Sequence, residues 1–283
     1  MNKNIGIMQG RLSPPVNNQI QAFPKDNWRK EFPICKKLGL NCMEWIFEYQ
    51  TMNDNPFYYK DGIDEIRKNS EMHNVKIGSL LADYFMEKKL FNENQADINK
   101  NVDMLFFIID QCKELDIPII EIPLVDSSAI KHEKDKKELI KNLKKPLKYA
   151  NEQGIDISLE TSLPPEEFRN LILDFKPLKI MVNYDMGNSA SLGFDAVEEI
   201  NLLGDFIVNV HIKDRVKNGG TVPLGSGDTD FESVFKALKK INYSGDLIFQ
   251  SARQDIGDVV VKKDIIKTIK EYLGFMEPYI RML

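Results

Sequence analysis

"IDISLE", residues 155–160, is a short β-forming run that stops on a carboxylate, and runs of the same kind recur along the whole chain. After it come "KIMVNY" (179–184), "FIVNVHI" (206–212) and "DLIFQ" (246–250). Before it stand "NIGIM" (4–8), "NCMEWIF" (41–47), "VKIGSLL" (75–81) and "PIIEIPL" (118–124). Longer stretches of helical period separate these runs, which is the pattern of repeated βα units. In 96–115, Ile98, Val102, Leu105, Ile109 and Cys112 recur at spacings of four and three and so share one helix face. A last helix is expected over about 259–273, carried by Val261, Ile265, Ile269 and Tyr272, with Gly274 as its C-cap. "TDFE" (229–232) has the form of a capping box opening the seventh helix.

Eight such units in 283 residues predict an α/β fold, a single-domain (β/α)8 barrel spanning 1–283. The competing reading is a doubly wound open sheet. It wants a Gly-x-Gly-x-x-Gly after an early strand, and "GIMQGRL" (6–12) has two glycines at other spacings.

A hydrophobic content of 42% suits a large core. No run approaches the ~18 apolar residues of a membrane span, and "MNKNIGIMQG" (1–10) lacks the apolar stretch of a secretory signal, so a cytoplasmic protein without a membrane partner is expected. Cys35, Cys42 and Cys112 are odd in number and far apart, which fits reduced, packed thiols. A net charge of -5 argues against a nucleic-acid partner. Homo-oligomerisation is left open.

In a barrel of this type functional side chains gather at the C-terminal ends of the strands. Strand five ends on Glu160, strand six runs into Asp185, strand seven carries His211 and strand eight ends on Gln250. Singly, each has a plain explanation: Glu160 or Asp185 could cap a helix, and His211 could be a bonded core residue. On four successive strands they converge, and two carboxylates with an imidazole suit one divalent ion, Mn, Co, Mg or Zn.

These motifs carry a resemblance. "SLET" (158–161), "NYDMGN" (183–188), "VHIKDR" (210–215), "VPLGSGDTDFESVFKAL" (222–238) and "YSGDLIFQS" (243–251) look like successive active-site segments of the xylose isomerase-like TIM barrels, which include tagatose-type 3-epimerases and hexulose-phosphate isomerases. In that family a Glu, an Asp, a His and a second Glu hold the metal, and both glutamates move protons. The resemblance makes Glu160, Asp185 and His211 ligands and Glu160 the base. Gln250 stands where the second Glu would be, able to coordinate or orient but not to take a proton. The implied reaction is a sugar or sugar-phosphate isomerisation or epimerisation through a cis-enediolate. The departure at 250 leaves one-base isomerisation better supplied than two-base epimerisation, unless Glu44, Asp83, Glu121 or Asp126 substitutes.

Arg11, Lys213, Arg215 and Arg253 follow strands one, seven and eight and could surround a phosphate or carboxylate. "RVKNGGTVPLGSGD" (215–228) could add backbone N–H donors and act as a lid. Gln9, Asp83 and Asn188 could bond sugar hydroxyls, and Glu44 could join them. A multi-zinc nuclease of related fold is poorly supplied, since His73 and His132 are the only other histidines. A metal-dependent lyase or dehydratase, and a barrel that binds sugar without turning it over, stand as alternatives.

Overall fold

The computed structural model describes residues 4–17, 19, 21–252 and 264–283. Eight parallel strands close into a barrel: β1 Ile5–Met8, β2 Cys42–Ile46, β3 Lys76–Leu81, β4 Ile119–Leu124, β5 Asp156–Thr161, β6 Met181–Asp185, β7 Ile207–Ile212 and, after a two-stranded ribbon of β8 Asp214–Arg215 and β9 Thr221–Val222, β10 Asp246–Phe249. Around the barrel the order is β1-β10-β7-β6-β5-β4-β3-β2. At least one α-helix follows each barrel strand, so the fold is the (β/α)8 barrel expected from the periodicity. All eight expected strands are present.

The barrel closes where β1 meets β10, with Gly6 opposite Ile248. A Cβ at Gly6 would stand 2.7 Å from Ile248 Cδ1 and 2.9 Å from Cys42 Cβ, so glycine is what lets the first and last strands meet. Helix Gln95–Glu114 shows how the surrounding layer is specified. Asn94 Oδ1 accepts from Asp97 N at 3.0 Å to start it, and Ile98, Leu105, Ile109 and Cys112 are buried against the core with Val102 partly so. All three cysteines are free and buried, and burial pushes the Cys35 thiol up to about 12, which suits packing rather than chemistry. Among the described residues no helix is long and apolar enough to cross a membrane.

Two helix ends differ from expectation. Gly274 does not end the last helix, whose described part runs Ile265–Ile280, because the apolar face continues through Met276. The beginning expected for that helix, with Val261, lies outside the described residues. The helix Phe231–Lys240 is capped by Asp230, whose Oδ1 accepts from Ser233 N at 3.0 Å, and not by Thr229. Thr229 instead donates its hydroxyl to Lys213 O at 3.2 Å and ties the strand-seven loop down.

The barrel interior is polar over part of its height. Ser79 Oγ on β3 and Asn209 Nδ2 on β7 both donate to Glu44 Oε2 on β2, at 2.7 and 3.0 Å. Such barrels are ordinarily filled by branched apolar residues. Here buried amide and carboxyl groups have been retained between strands, which supplies a fixed polar floor beneath the mouth.

Candidate metal centre and active site

Strands β5, β6 and β7 each place two residues, spaced by two, on one strand face: Ser158 and Glu160, Asn183 and Asp185, Asn209 and His211. The outer member of each pair reaches the mouth. One oxygen each from Glu160 and Asp185 and a ring nitrogen of His211 lie within 4.8 Å of one another. His211 Nδ1 is 3.8 Å from Glu160 Oε2 and 3.8 Å from Asp185 Oδ2. Two carboxylates and an imidazole nitrogen at these spacings suit a divalent ion with ligands at about 2.0–2.2 Å.

The other side of the imidazole meets carboxyl groups. His211 Nε2 is 2.9 Å from Glu44 Oε1 and 3.2 Å from Glu121 Oε2, all fully buried. Burial alone would favour a neutral ring, but Glu121, Glu44 and Asp185 outweigh it and raise the imidazole well above its ordinary range. Nδ1 is the ring nitrogen turned toward Glu160 and Asp185, and so the one available to an ion. Glu121 is itself pushed up by burial against the pull of His211.

Asp185 divides its two oxygens between two tasks. Oδ1 accepts from Asn188 N at 2.8 Å and caps the helix Met186–Leu192, while Oδ2 receives Lys213 Nζ at 3.0 Å. Burial would raise this carboxyl, yet Lys213, His211 and the Asn188 N–H hold it well below the usual carboxylate range. Glu160 is positioned by amides: Asn183 Nδ2 donates to Oε2 at 3.0 Å and Asn188 Nδ2 to Oε1. Asn183 Nδ2 also stands 3.2 Å from His211 Nδ1.

The remaining candidates fall at differing distances from this cluster. Gln250 Oε1 accepts from Lys213 Nζ at 2.8 Å, and its Nε2 is 3.4 Å from Gln21 Oε1. Gln21 also receives Arg11 at 3.4 Å and donates to Asp83 Oδ2 at 2.5 Å, so one amide joins three of the expected residues. Burial lifts the Asp83 carboxyl to about 7. Arg215 donates to Asn188 Oδ1 at 2.7 Å and to Gly219 O, which places its guanidinium behind Glu160. Gln9 Oε1 accepts from Ile46 N at 3.2 Å, and its buried Nε2 has no partner among the described residues. Asp126 sits exposed in the turn after β4. Arg253 lies outside the described residues.

The loop expected to offer backbone donors to an anion turns them inward. Gly225 N, Gly227 N and Thr229 N donate to the carboxylate of the fully buried Asp214, at 2.8, 2.9 and 3.1 Å. Gln21, Asn183 and Asp214 were not among the residues singled out from sequence. Asn183 had a readable signal in its spacing of two from Asp185, whereas Gln21 stands in an irregular segment without periodicity.

A family model described as xylose isomerase-like TIM barrel matches residues 32–275. The chain belongs to that family. The inosose dehydratase of Clostridium perfringens strain 13 is 23% identical over 226 residues, 70% of this chain and 76% of that protein. A protein of Haemophilus influenzae described as putative L-ribulose-5-phosphate 3-epimerase SgbU is 22% identical over 248 residues, 81% of this chain and 86% of that one. Among solved structures, that of the IOLI protein with a binding zinc atom superposes with a TM-score of 0.76 at 19% identity, covering 98% of this chain and 99% of that chain. This last likeness concerns the fold.

Proposed function

We propose that this xylose isomerase-like barrel is a divalent-metal-dependent sugar or sugar-phosphate isomerase or epimerase. The observation that carries the reading is the meeting of Glu160, Asp185 and His211 at the ends of three successive strands. An ion bound there would hold adjacent oxygens of a ketose and stabilise the negative charge that develops on them.

Glu160 takes the proton on the carbon next to the carbonyl. The C–H bond breaks, its electron pair moves into the enediolate, and the proton rests on the carboxylate until it returns to the same or the neighbouring carbon. Return to the neighbouring carbon, with the hydroxyl proton passing between the two adjacent enediol oxygens, interconverts aldose and ketose with one base. Asn183 and Asn188 hold both oxygens of Glu160 during these transfers, and Arg215 holds Asn188. In this reading Gln9 would bond substrate hydroxyls, Gln250 would bond a hydroxyl or the ion, and Arg11 and Lys213 would draw in an anionic group.

A second reading has its own support. Gln250 is a neutral amide, and proton removal followed by loss of a neighbouring hydroxyl needs no second carboxylate. A dehydratase of inosose-like substrates therefore suits the same residues, and a relative bears that name. A panel of ketoses, ketose phosphates and inososes in D2O with added Mn2+ or Co2+ separates the two. Deuterium at carbon in recovered sugar supports isomerase or epimerase action, and release of water with a new enolic product supports the dehydratase. Metal bound without exchange or elimination in any substrate would leave a binding protein.

A further inference from the structure

Lys213 Nζ bonds Asp185 Oδ2 at 3.0 Å, one of the three ligand atoms that the metal-centre reading assigns to an ion, and Gln250 Oε1 at 2.8 Å, on the residue that the sequence offers as a fourth ligand. We infer that Lys213 is a built-in competitor for the divalent ion, holding Asp185 and Gln250 with its own ammonium, so that an ion binds fully only as this ammonium leaves. The inference rests on the metal-centre reading and adds a residue that controls loading.

Three features make the competition direct. Asp185 has one oxygen to give, because Oδ1 is committed to capping the helix Met186–Leu192. Gln250 likewise has one acceptor oxygen, its amide nitrogen being a donor only. An ion on these atoms and an ammonium on the same atoms would stand only about 3–4 Å apart, and in a buried site that repulsion is poorly screened.

The position of the ammonium is also built into the fold. The Lys213 side chain is largely buried, at 13% exposure, and its stem runs against Gly187. A Cβ on Gly187 would stand 2.8 Å from Lys213 Cγ and 3.0 Å from its Cβ, so the glycine of "NYDMGN" makes the room the lysine uses. Thr229 holds the Lys213 carbonyl from the other side.

The amide at 250 sets the balance. A carboxylate would add a charged ligand and favour the ion, whereas a neutral amide leaves Asp185 and Glu160 as the only charged ligands at the mouth. An ammonium then competes on more equal terms with a divalent ion for the same oxygens.

Calorimetric titration with Mn2+ tests this on the parent, Lys213→Met, Lys213→Gln and Lys217→Met, with circular dichroism as the check of folding. Lys213→Met is expected to bind Mn2+ at least tenfold more tightly than the parent. Lys217→Met removes the charge of the lysine four residues on, whose ammonium lies by Gly193 and touches no ligand atom, and is expected to stay within twofold. Equal affinity in the parent and both Lys213 variants overturns the inference alone, as does an equal gain in Lys217→Met. Failure of every protein to bind Mn2+, Co2+ or Zn2+ overturns the metal centre as well. A crystal structure of the parent with Mn2+ gives a reading free of mutation: Lys213 Nζ is expected beyond hydrogen-bond distance of Asp185 Oδ2, and an ion bound with that contact intact would refute the competition.

Discussion

His211 Nε2 lies 2.9 Å from Glu44 Oε1, so the imidazole is oriented from inside the barrel while its Nδ1 faces Glu160 and Asp185 at the mouth. Partners on the far nitrogen of a ligating histidine typically contribute 10–100-fold to metal affinity. Glu44→Gln is therefore expected to weaken Mn2+ binding by about that factor while Glu160, Asp185 and His211 stay in place, a loss that titration would read. His211→Ala should abolish tight binding altogether. If it bound Mn2+ as well as the parent, the assigned centre would be wrong.

Glu160→Gln keeps the shape of the side chain and removes its basicity. General-base catalysis contributes about 10²–10⁴-fold, and deuterium wash-in from D2O, read at saturating Mn2+ because Glu160 is also an assigned ligand, should fall by that range. A variant that exchanged as fast as the parent would move the base elsewhere, with Asp83 next in line.

Gln250→Glu places a carboxylate where Lys213 Nζ now meets an amide oxygen at 2.8 Å. The variant should bind Mn2+ more tightly and gain epimerisation relative to isomerisation, and the gain in affinity should be larger when Lys213→Met is also present. A drop in both quantities would show that the amide serves the native reaction directly.

Asp214 gathers three backbone N–H groups of the 215–229 loop on one buried carboxylate. Its replacement by Ala leaves these donors unpaired, at a cost of the order of 3 kcal/mol. Limited proteolysis within residues 216–228 should become faster before the melting temperature of the barrel falls by much. Equal proteolysis rates in parent and variant would show that the loop is held by something else.

Burial lifts the Glu199 carboxyl from 4.5 to about 7, against the hydrogen bond from Ser189. A raised carboxyl binds its proton in the folded state first, so its contribution to stability is complete below about 4.5 and is lost as pH rises through about 7. The loss across that window is about 3 kcal/mol for a shift of this size. Chemical denaturation at pH 5 and pH 8 should show a smaller difference in Glu199→Gln than in the parent. Asp83, also lifted to about 7, adds to the parent's decline in the same window and remains as the residual slope of the variant.

The strands and the main residues of the site could be read from the chain because both follow simple periodicity. A strand ending on a polar group puts that group at the mouth, which was enough to single out Glu160, Asp185, His211 and Gln250, while the roles proposed for them came from the family resemblance. The inner partners were harder to see. Glu121 was noted only as a spare carboxylate and Glu44 as that or a substrate-binding group, although as neighbours of His211 Nε2 they face it across the barrel from strands far away in sequence. The 215–228 loop misled for a related reason: glycines advertise available N–H groups, but not which acceptor takes them, and here Asp214 does. Gln21 joins Arg11, Asp83 and Gln250 from an irregular segment, where position follows from tertiary packing alone.

The seam between β1 and β10 has a consequence for how the chain is made. Asn4 Nδ2 bonds Asp246 Oδ1 at 2.7 Å across a separation of 242 residues, and Gly6 fits against Ile248. During synthesis from the N-terminus, β1 has no partner on that side until β10, some 242 residues after Asn4, has emerged, and β7 likewise waits for β10. The β1 edge is thus presented to the surroundings for most of that interval and the β7 edge for its last part, at some 5–20 residues per second. Closure of the ring is a late event in the life of each new molecule, and until then the mouth is incomplete, since Gln250 arrives with the strand that shuts it.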